Sequence, residues 1–167
     1  MGAFCEVYIA DRKRALQYNF VGECKCKSRR DCECWDEYDS QTYDHLQSQR
    51  VYDTNLAQLL SVLRGKKHSE SVVKEFKLLK QSSENGPWIQ KVPNDLPKLL
   101  AATPADELKA ISKAWAALFQ EGYAAYYPIK KLTTSNTAPF LRYLKSLQKL
   151  CKKSIKNKQG MYLWTCL

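Results

Sequence analysis

Four cysteines within eleven residues are the part of this chain whose spacing most directly suggests chemistry. They form two Cys-x-Cys pairs around a basic turn: Cys24, Cys26, Cys32 and Cys34. Because side chains alternate along a strand, a hairpin that turns at residues 28–30 would place all four thiols on one face. The other face would pair lysines with acids across the two strands, which favours that register.

Four thiols on one face suit three kinds of role, and the sequence leaves all three open. Four thiolates can complete a closed structural zinc site, but sulfurs on a flat ribbon tend towards a plane, whereas zinc binds in a tetrahedron. A kink in the hairpin, or His45 as a substitute ligand, would relieve that conflict. The alternatives are a cysteine-lined packing face and redox or disulfide chemistry. We expect no other cofactor.

An acidic and aromatic stretch follows the second cysteine pair. It consists of Trp35, Asp36, Glu37, Tyr38 and Asp39. Rigid rings beside carboxylates are typical of a recognition loop that selects a basic partner, and an ordinary polar surface hairpin is the alternative. We therefore predict that residues 22–45 form a Cys-rich acidic hairpin inserted in the domain.

A second charged feature, which we call the basic face, lies on the last predicted helix, over residues 138–157. At 100° per residue its cations fall within an arc of about 100°, and apolar residues occupy the other side. These cations are Arg142, Lys145, Lys149, Lys152, Lys153 and Lys156. Such a stripe can follow phosphates or meet an acidic protein surface, and a solvated face on a core helix is the alternative. Lysine dominates and no aromatic residue interrupts the stripe, which disfavours base-specific recognition.

The charge of the chain is large and unevenly distributed. The 167 residues carry a net charge of +10, yet residues 31–44 hold six of the 17 acidic residues and no Lys or Arg. A surplus of cations outside that segment favours acidic partners. No apolar stretch reaches the roughly 20 residues of a membrane span, and residues 1–6 do not resemble a signal peptide. We therefore expect a cytoplasmic protein with no membrane partner.

The remaining pattern predicts one two-layer α+β domain over residues 1–167. Alternating apolar side chains predict a strand at residues 3–9, and a fully apolar stretch predicts a central strand at residues 161–167. Both chain ends would then enter one small, at least partly antiparallel sheet that packs against four to five helices. Capping signals and apolar spacing place the main helices after Asp53, from Ser69 through Leu79, and over residues 94–101, 104–121 and 138–157. A further strand is expected at residues 88–92.

Several segments of the second half follow an order that resembles a known family. They are the strand start Gly86-Pro87-Trp88, the helix start Pro93-Asn94-Asp95-Leu96, the connector Tyr126-Tyr127-Pro128, the long basic helix and the closing Gly160-Met161-Tyr162-Leu163-Trp164. The early helix end Ser61-Val62-Leu63-Arg64-Gly65 is similar as well. The order resembles the YfbM-like family, uncharacterised bacterial proteins with a domain of unknown function. The resemblance implies a compact bacterial α+β domain and no established active site, and the cysteine pairs depart from it.

Catalytic motifs are nearly absent from the sequence. It contains no nucleophile elbow, P-loop, zinc-protease helix or dinucleotide fingerprint, and its two histidines are His45 and His68. We therefore predict a non-enzymatic binding protein of bacterial type that uses a charged interface to bind another protein, as an immunity protein neutralises a toxin. One alternative is a nucleic-acid-associated protein that uses the basic face. Another is an enzyme with a Cys or His centre.

Overall fold

The computed structural model describes residues 4–17, 43–48, 51–82, 87–124 and 137–166. Within these ranges the chain forms five strands and six helices, which in chain order are β1 (Phe4–Ala10), α1 (Arg12–Ala15), β2 (Asp44–Ser48), α2 (Asp53–Leu63), α3 (Glu70–Val73), β3 (Lys77–Gln81), β4 (Trp88–Lys91), α4 (Asp95–Ala102), α5 (Leu108–Ala124), α6 (Ala138–Lys156) and β5 (Gly160–Cys166). Of the predicted Cys-rich hairpin over residues 22–45, only residues 43–45 lie within the described ranges.

The five strands form one antiparallel sheet in the order β2-β1-β5-β4-β3. The last strand, β5, occupies the centre and pairs with β1 on one side and with β4 on the other. Leu163, for example, lies opposite Val7 of β1 and Gln90 of β4. The predicted α+β fold with both terminal strands in one sheet is therefore confirmed.

The two faces of the sheet carry different layers. On one of them, which we call the helix face, alternate residues of β1 pack in the main core with residues from α2, α4, α5 and α6. The opposite face holds a smaller aromatic cluster, in which the ring of Tyr8 stacks on Tyr162 with centroids 5.6 Å apart. The hydroxyl of Tyr8 donates to the carbonyl of Ala15, 2.8 Å away, and so ties α1 to that face. Because apolar residues of β5 face both layers, this strand has the apolar pattern of a covered strand.

Helix α6 is held on the sheet by apolar packing and by one buried polar anchor. Its inner residues Leu144, Leu147 and Cys151 are buried in the main core. Between them, the amide of Gln148 donates to the carbonyls of Leu100 (3.0 Å) and Thr103 (2.8 Å), at the end of α4. At this helix end regular helical partners run out: the carbonyl of Leu100 accepts only a long bond, 3.3 Å, from the amide of Thr103. Gln148 supplies a further donor to both carbonyls and so fixes the rotation of α6.

The predicted helix from Ser69 through Leu79 is wrong in its second half. Helix α3 ends at Val73, and the chain then turns and enters strand β3, where Leu78 lies opposite Gln90 of β4. The apolar spacing in this stretch fits a helix, but a short run fits either period, and hydrogen bonds to β4 stabilise the extended form. A second difference is smaller: α5 begins at Leu108 because residues 105–107 form a turn.

An arginine at the end of α2 connects three segments of the helical layer. The guanidinium of Arg64 donates to both carboxylate oxygens of Glu75, at 2.8 and 2.7 Å, and its Nε donates to Asp95 at the start of α4, at 2.7 Å. The hydrogen bonds from Arg64 hold the pKa of the Glu75 carboxyl below its usual value. Gly65, the predicted helix stop, follows with a φ of +62°, a left-handed conformation that glycine adopts without strain.

Three cysteines lie within the described residues, and two of them are inside the protein. Cys5 on β1 and Cys151 on α6 are buried in the main core, and Cys166 is half-buried. Burial raises the pKa of each of the first two thiols to about 12. Since the thiolate is the reactive form, these two cysteines are packing residues rather than nucleophiles.

We predict that the ion pair between Arg64 and Glu75 couples the two residues by about 1 kcal/mol at neutral pH, because its geometry is bidentate but its partners are partly exposed. The lowered carboxyl pKa means that this stabilisation is present above the usual pKa of Glu and is lost as the pH falls through the lowered value. A double-mutant cycle of Arg64→Met and Glu75→Gln, measured by urea unfolding, gives the coupling. A coupling that stays unchanged in acid would contradict the assignment.

We also predict that Cys5 and Cys151 resist alkylation in the folded protein. With a thiol pKa of about 12, only about one molecule in ten thousand carries the thiolate at pH 8, and burial blocks access as well. Iodoacetamide labelling followed by peptide mass mapping should find both cysteines unmodified under native conditions and fully modified in urea. Half-buried Cys166 serves as the internal comparison and should react sooner. Rapid native labelling of Cys5 or Cys151 would show that the core opens.

Candidate functional site

The basic face predicted from the sequence exists on α6 as an exposed row of side chains. All six of its cations are exposed, while the opposite side of the helix is buried in the main core. At a rise of 1.5 Å per residue the 19 residues of α6 extend over about 28 Å. The anchoring of Gln148 on α4 keeps this row turned outward, so the cations lie on a rigid element rather than on a loop.

One cation of the basic face is paired within the chain. The ammonium of Lys153 lies 2.5 Å from a carboxylate oxygen of Asp44, on β2, and both side chains are about half exposed. Asp44 is the last of the six acids of residues 31–44, so the end of that acid-rich segment contacts the basic helix. Among the described residues, the other five cations of the basic face have no ion-pair partner: Arg142, Lys145, Lys149, Lys152 and Lys156.

An apolar side chain lies beside these cations. Ile155 follows Lys152 by three residues and precedes Lys156, and it is 48% exposed although the other side of the helix is buried. Large apolar side chains exposed to this extent are rare among the described residues, where Leu78 is the other example. The C-terminal end of the basic face therefore combines charged side chains with an exposed apolar one.

The candidate zinc ligands fall in two parts of the chain. Cys24, Cys26, Cys32 and Cys34 lie outside the described residues, and so does the aromatic and acidic stretch from Trp35 to Asp39, made of Trp35, Asp36, Glu37, Tyr38 and Asp39. His45 is half-buried on β2, where its Nδ1 lies 3.1 Å from the carbonyl oxygen of Tyr43. Within the described ranges, no group of three or more His, Cys, Asp or Glu side chains could hold a metal ion. The zinc site stays a prediction.

A serine and a histidine lie near each other at the end of α2, but their geometry is structural. The hydroxyl of Ser61 is fully buried and donates to the carbonyl of Ala57 at 2.8 Å. Nδ1 of His68 lies 3.4 Å from the same hydroxyl. A nucleophile must reach a substrate, and Ser61 does not, because no part of it is accessible. This pair therefore adds nothing to the hypothesis of a Cys or His enzyme.

A cleft of about 420 Å³ opens on the helix face of the sheet, beside the start of α2. We call it the α2 cleft, and its described lining residues are Tyr52, Asp53, Thr54, Leu78, Trp88, Gln90 and Thr165. The strand residues share one face because Leu78 lies opposite Gln90 and Trp88 lies opposite Thr165. The helices of the main core leave this corner of the sheet uncovered, as the 53% exposure of Leu78 shows.

A carboxylate joins the two walls of the α2 cleft. Asp53, the predicted cap of α2, is instead its first residue, and Tyr52 occupies the cap position. One oxygen of Asp53 accepts from the amide of Thr54 at 2.7 Å, and the other accepts from Nε2 of Gln90 at 2.8 Å. The helix wall is thus hydrogen-bonded to the sheet wall.

The α2 cleft was not predicted from the sequence. The apolar spacing assigns Leu78 to a helix, so the strand that forms one side of the cleft is missing from the predicted sheet. One signal was present: Gln90 and Thr165 place polar side chains in strand segments on the face that otherwise carries the core. Polar residues at such positions indicate an opening in the core or a buried hydrogen bond.

Within the described parts of the chain, no helix has both the length and the apolar character needed to cross a membrane. Comparison of the chain with protein-family models, with curated proteins and with solved structures finds no match. The resemblance to the YfbM-like family therefore stays a hypothesis, carried by the segments that suggest it.

Proposed function

We propose that this chain is a non-enzymatic binding protein that docks the basic face of α6 against an acidic surface of a partner protein. The observation that carries the proposal is the row of five exposed cations on an anchored helix that have no ion-pair partner among the described residues. Cations kept this close together repel one another, and an acidic partner would remove that repulsion. Neutralisation of a toxin by an immunity protein is the kind of role that such an interface serves.

A protein surface fits the basic face better than nucleic acid does. Five of the six cations are lysines, which bind as point charges and do not form the bidentate contacts by which arginine recognises phosphates and bases. Ile155 adds an exposed apolar side chain at one end of the face. Apolar anchors surrounded by charge are typical of protein interfaces. Binding to nucleic acid is the alternative outcome of the test below.

The interface with the partner should lie on the basic face itself. A photo-crosslinking residue at position 149, on the basic face, should capture one acidic partner in cells of the native host. The same residue at position 113, an exposed position of α5, should not. The Lys145→Gln, Lys149→Gln, Lys152→Gln triple variant should lose capture and bind the purified partner at least about tenfold more weakly. The control variant Lys67→Gln, Lys109→Gln, Lys113→Gln makes the same change of charge at exposed positions elsewhere.

Salt dependence and competition experiments distinguish a protein partner from a nucleic-acid partner. Affinity for the captured partner should fall as salt increases, since exposed charges carry the encounter. A duplex DNA and a single-stranded RNA of mixed sequence, tested in the same assay, should bind weakly and should not displace the partner. If the triple variant still binds the partner as the unchanged protein does, or if nucleic acid binds more tightly than any captured protein, the proposed function is wrong.

The internal ion pair of Lys153 with Asp44 should weaken binding of an acidic partner. The change Asp44→Asn releases Lys153 and removes a negative charge beside the basic face, so it should increase affinity for the captured partner by about twofold. Asp106→Asn, at an exposed acid in the turn before α5, is the matched control and should change the affinity less. An isothermal titration of the three proteins against the partner measures both effects. Weaker binding by the Asp44→Asn protein would show that Asp44 itself contacts the partner.

A further inference from the structure

We propose that the α2 cleft is a binding site for an alkylammonium group. Its described lining residues belong to β3, β4, β5 and the start of α2, and none of them belongs to α6. The site is thus built separately from the basic face. Its volume of about 420 Å³ lies within the range of small-molecule sites, about 300–1,000 Å³.

The polar atoms of the α2 cleft select a hydrogen-bond donor. Asp53 brings a carboxylate, which accepts hydrogen bonds only. The amide nitrogen of Gln90 already donates to that carboxylate, so the atom that Gln90 retains for a ligand is its carbonyl oxygen. A positively charged donor would therefore meet acceptors on both the helix wall and the sheet wall.

The start of α2 already carries a carboxylate of its own. Helix N-termini usually attract anions through their unpaired amide groups and their dipole. Here the carboxylate of Asp53 accepts from the amide of Thr54, and the side chain of Asn55 accepts from the amide of Tyr52 at 2.9 Å. The chain thus supplies its own anion at this position, and a second anion would be repelled by it.

The remaining surface of the α2 cleft suits an alkyl chain that carries a cation. Trp88 and Tyr52 provide aromatic rings, whose faces attract ammonium groups, and Trp is the strongest such partner. Leu78, which is 53% exposed, offers apolar surface to the methylene groups. Rings, a carboxylate and an aliphatic wall together form the combination by which proteins recognise an ammonium group on a hydrocarbon stem.

The net charge of the chain opposes cations over long distances but does not decide binding at short range. At physiological ionic strength, exposed charges more than about 8 Å away are largely screened. Contacts within the cleft act at shorter distances than this. We therefore expect binding at ordinary salt concentrations, and weaker binding at very low salt, where repulsion by distant lysines reaches the site.

The test is a titration of the intact protein with n-butylammonium, monitored by ¹H–¹⁵N NMR spectra. The indole resonance of Trp88, identified by its absence from a Trp88→Phe protein, and the side-chain amide of Gln90 should both shift. Neutral n-butanol and anionic butyrate have the same chain length and should cause at most small shifts. Equal shifts with n-butanol, or no shift at Trp88 with any probe, would overturn the proposal.

Two variants test how the helix wall and the sheet wall of the α2 cleft contribute to binding. Asp53→Asn keeps the shape of the side chain but has one acceptor oxygen where the carboxylate has two, and it removes the charge, so it should weaken n-butylammonium binding about tenfold. Asp106→Asn, remote in sequence and exposed, should leave it unchanged. Should Asp53→Asn unfold the protein, Trp88→Leu removes the ring instead, and the Gln90 amide then reports the weaker binding. Unchanged affinity in whichever folded variant is measured would overturn the proposal.

The source of the ammonium group is decided by two further probes. A short acetylated and amidated peptide with one central lysine presents the group on a backbone, and the same peptide with Nε-acetyllysine is its neutral control. Tighter binding of the lysine peptide than of n-butylammonium would identify a protein side chain as the ligand. Tighter binding of n-butylammonium would identify a free amine. Equal binding of the lysine peptide and its acetylated control would contradict recognition of a cation.

Discussion

The position of β5 at the centre of the sheet is the constraint on which the rest of this structure depends. The strand pairs with β1 and β4, and its apolar residues face both layers. Because a backbone buried on two faces must find its hydrogen bonds within the sheet, β1 and β4 cannot shift register without leaving groups unpaired. That register sets which residues of β1 face the helices, and it places Trp88 opposite Thr165. The core and the α2 cleft follow from the same pairing.

Charge is distributed around this frame in two different ways. Arg64 lies between two carboxylates and joins α2, α4 and the turn after α3, so its charge is used internally. On α6 the opposite holds: Gln148 fixes the helix with an uncharged anchor, and five of the six exposed cations have no ion-pair partner among the described residues. A helix whose position depended on its own lysines could not offer them to another molecule. This separation of anchoring from charge leaves the basic face exposed, as the proposed interface requires.

The elements of the fold that depend on a single local sequence signal were predicted correctly. Neighbouring residues were enough to predict the apolar strand β5, the alternating strand β1 and the amphipathic helix α6. The same pattern predicted the row of six cations on α6. The prediction failed over Ser69 to Leu79, because the choice between helix and strand there depends on pairing with β4, which comes later in the chain. The contact of Lys153 with Asp44, 109 residues away, has no local signature, and the α2 cleft has only the polar Gln90 and Thr165, because both features arise from pairing between distant segments.

The α2 cleft is a consequence of mismatch between the two layers. The sheet continues through β4 to β3, but the helices that cover its centre do not extend over that corner, so Leu78 stays exposed and polar side chains replace apolar ones on the uncovered face. A polar residue there needs a partner, and Gln90 finds it in Asp53 at the start of α2. That bond fixes a carboxylate beside aromatic rings in a concave corner. The same interaction that closes the edge of the core thus creates a site with a defined preference for cationic donors.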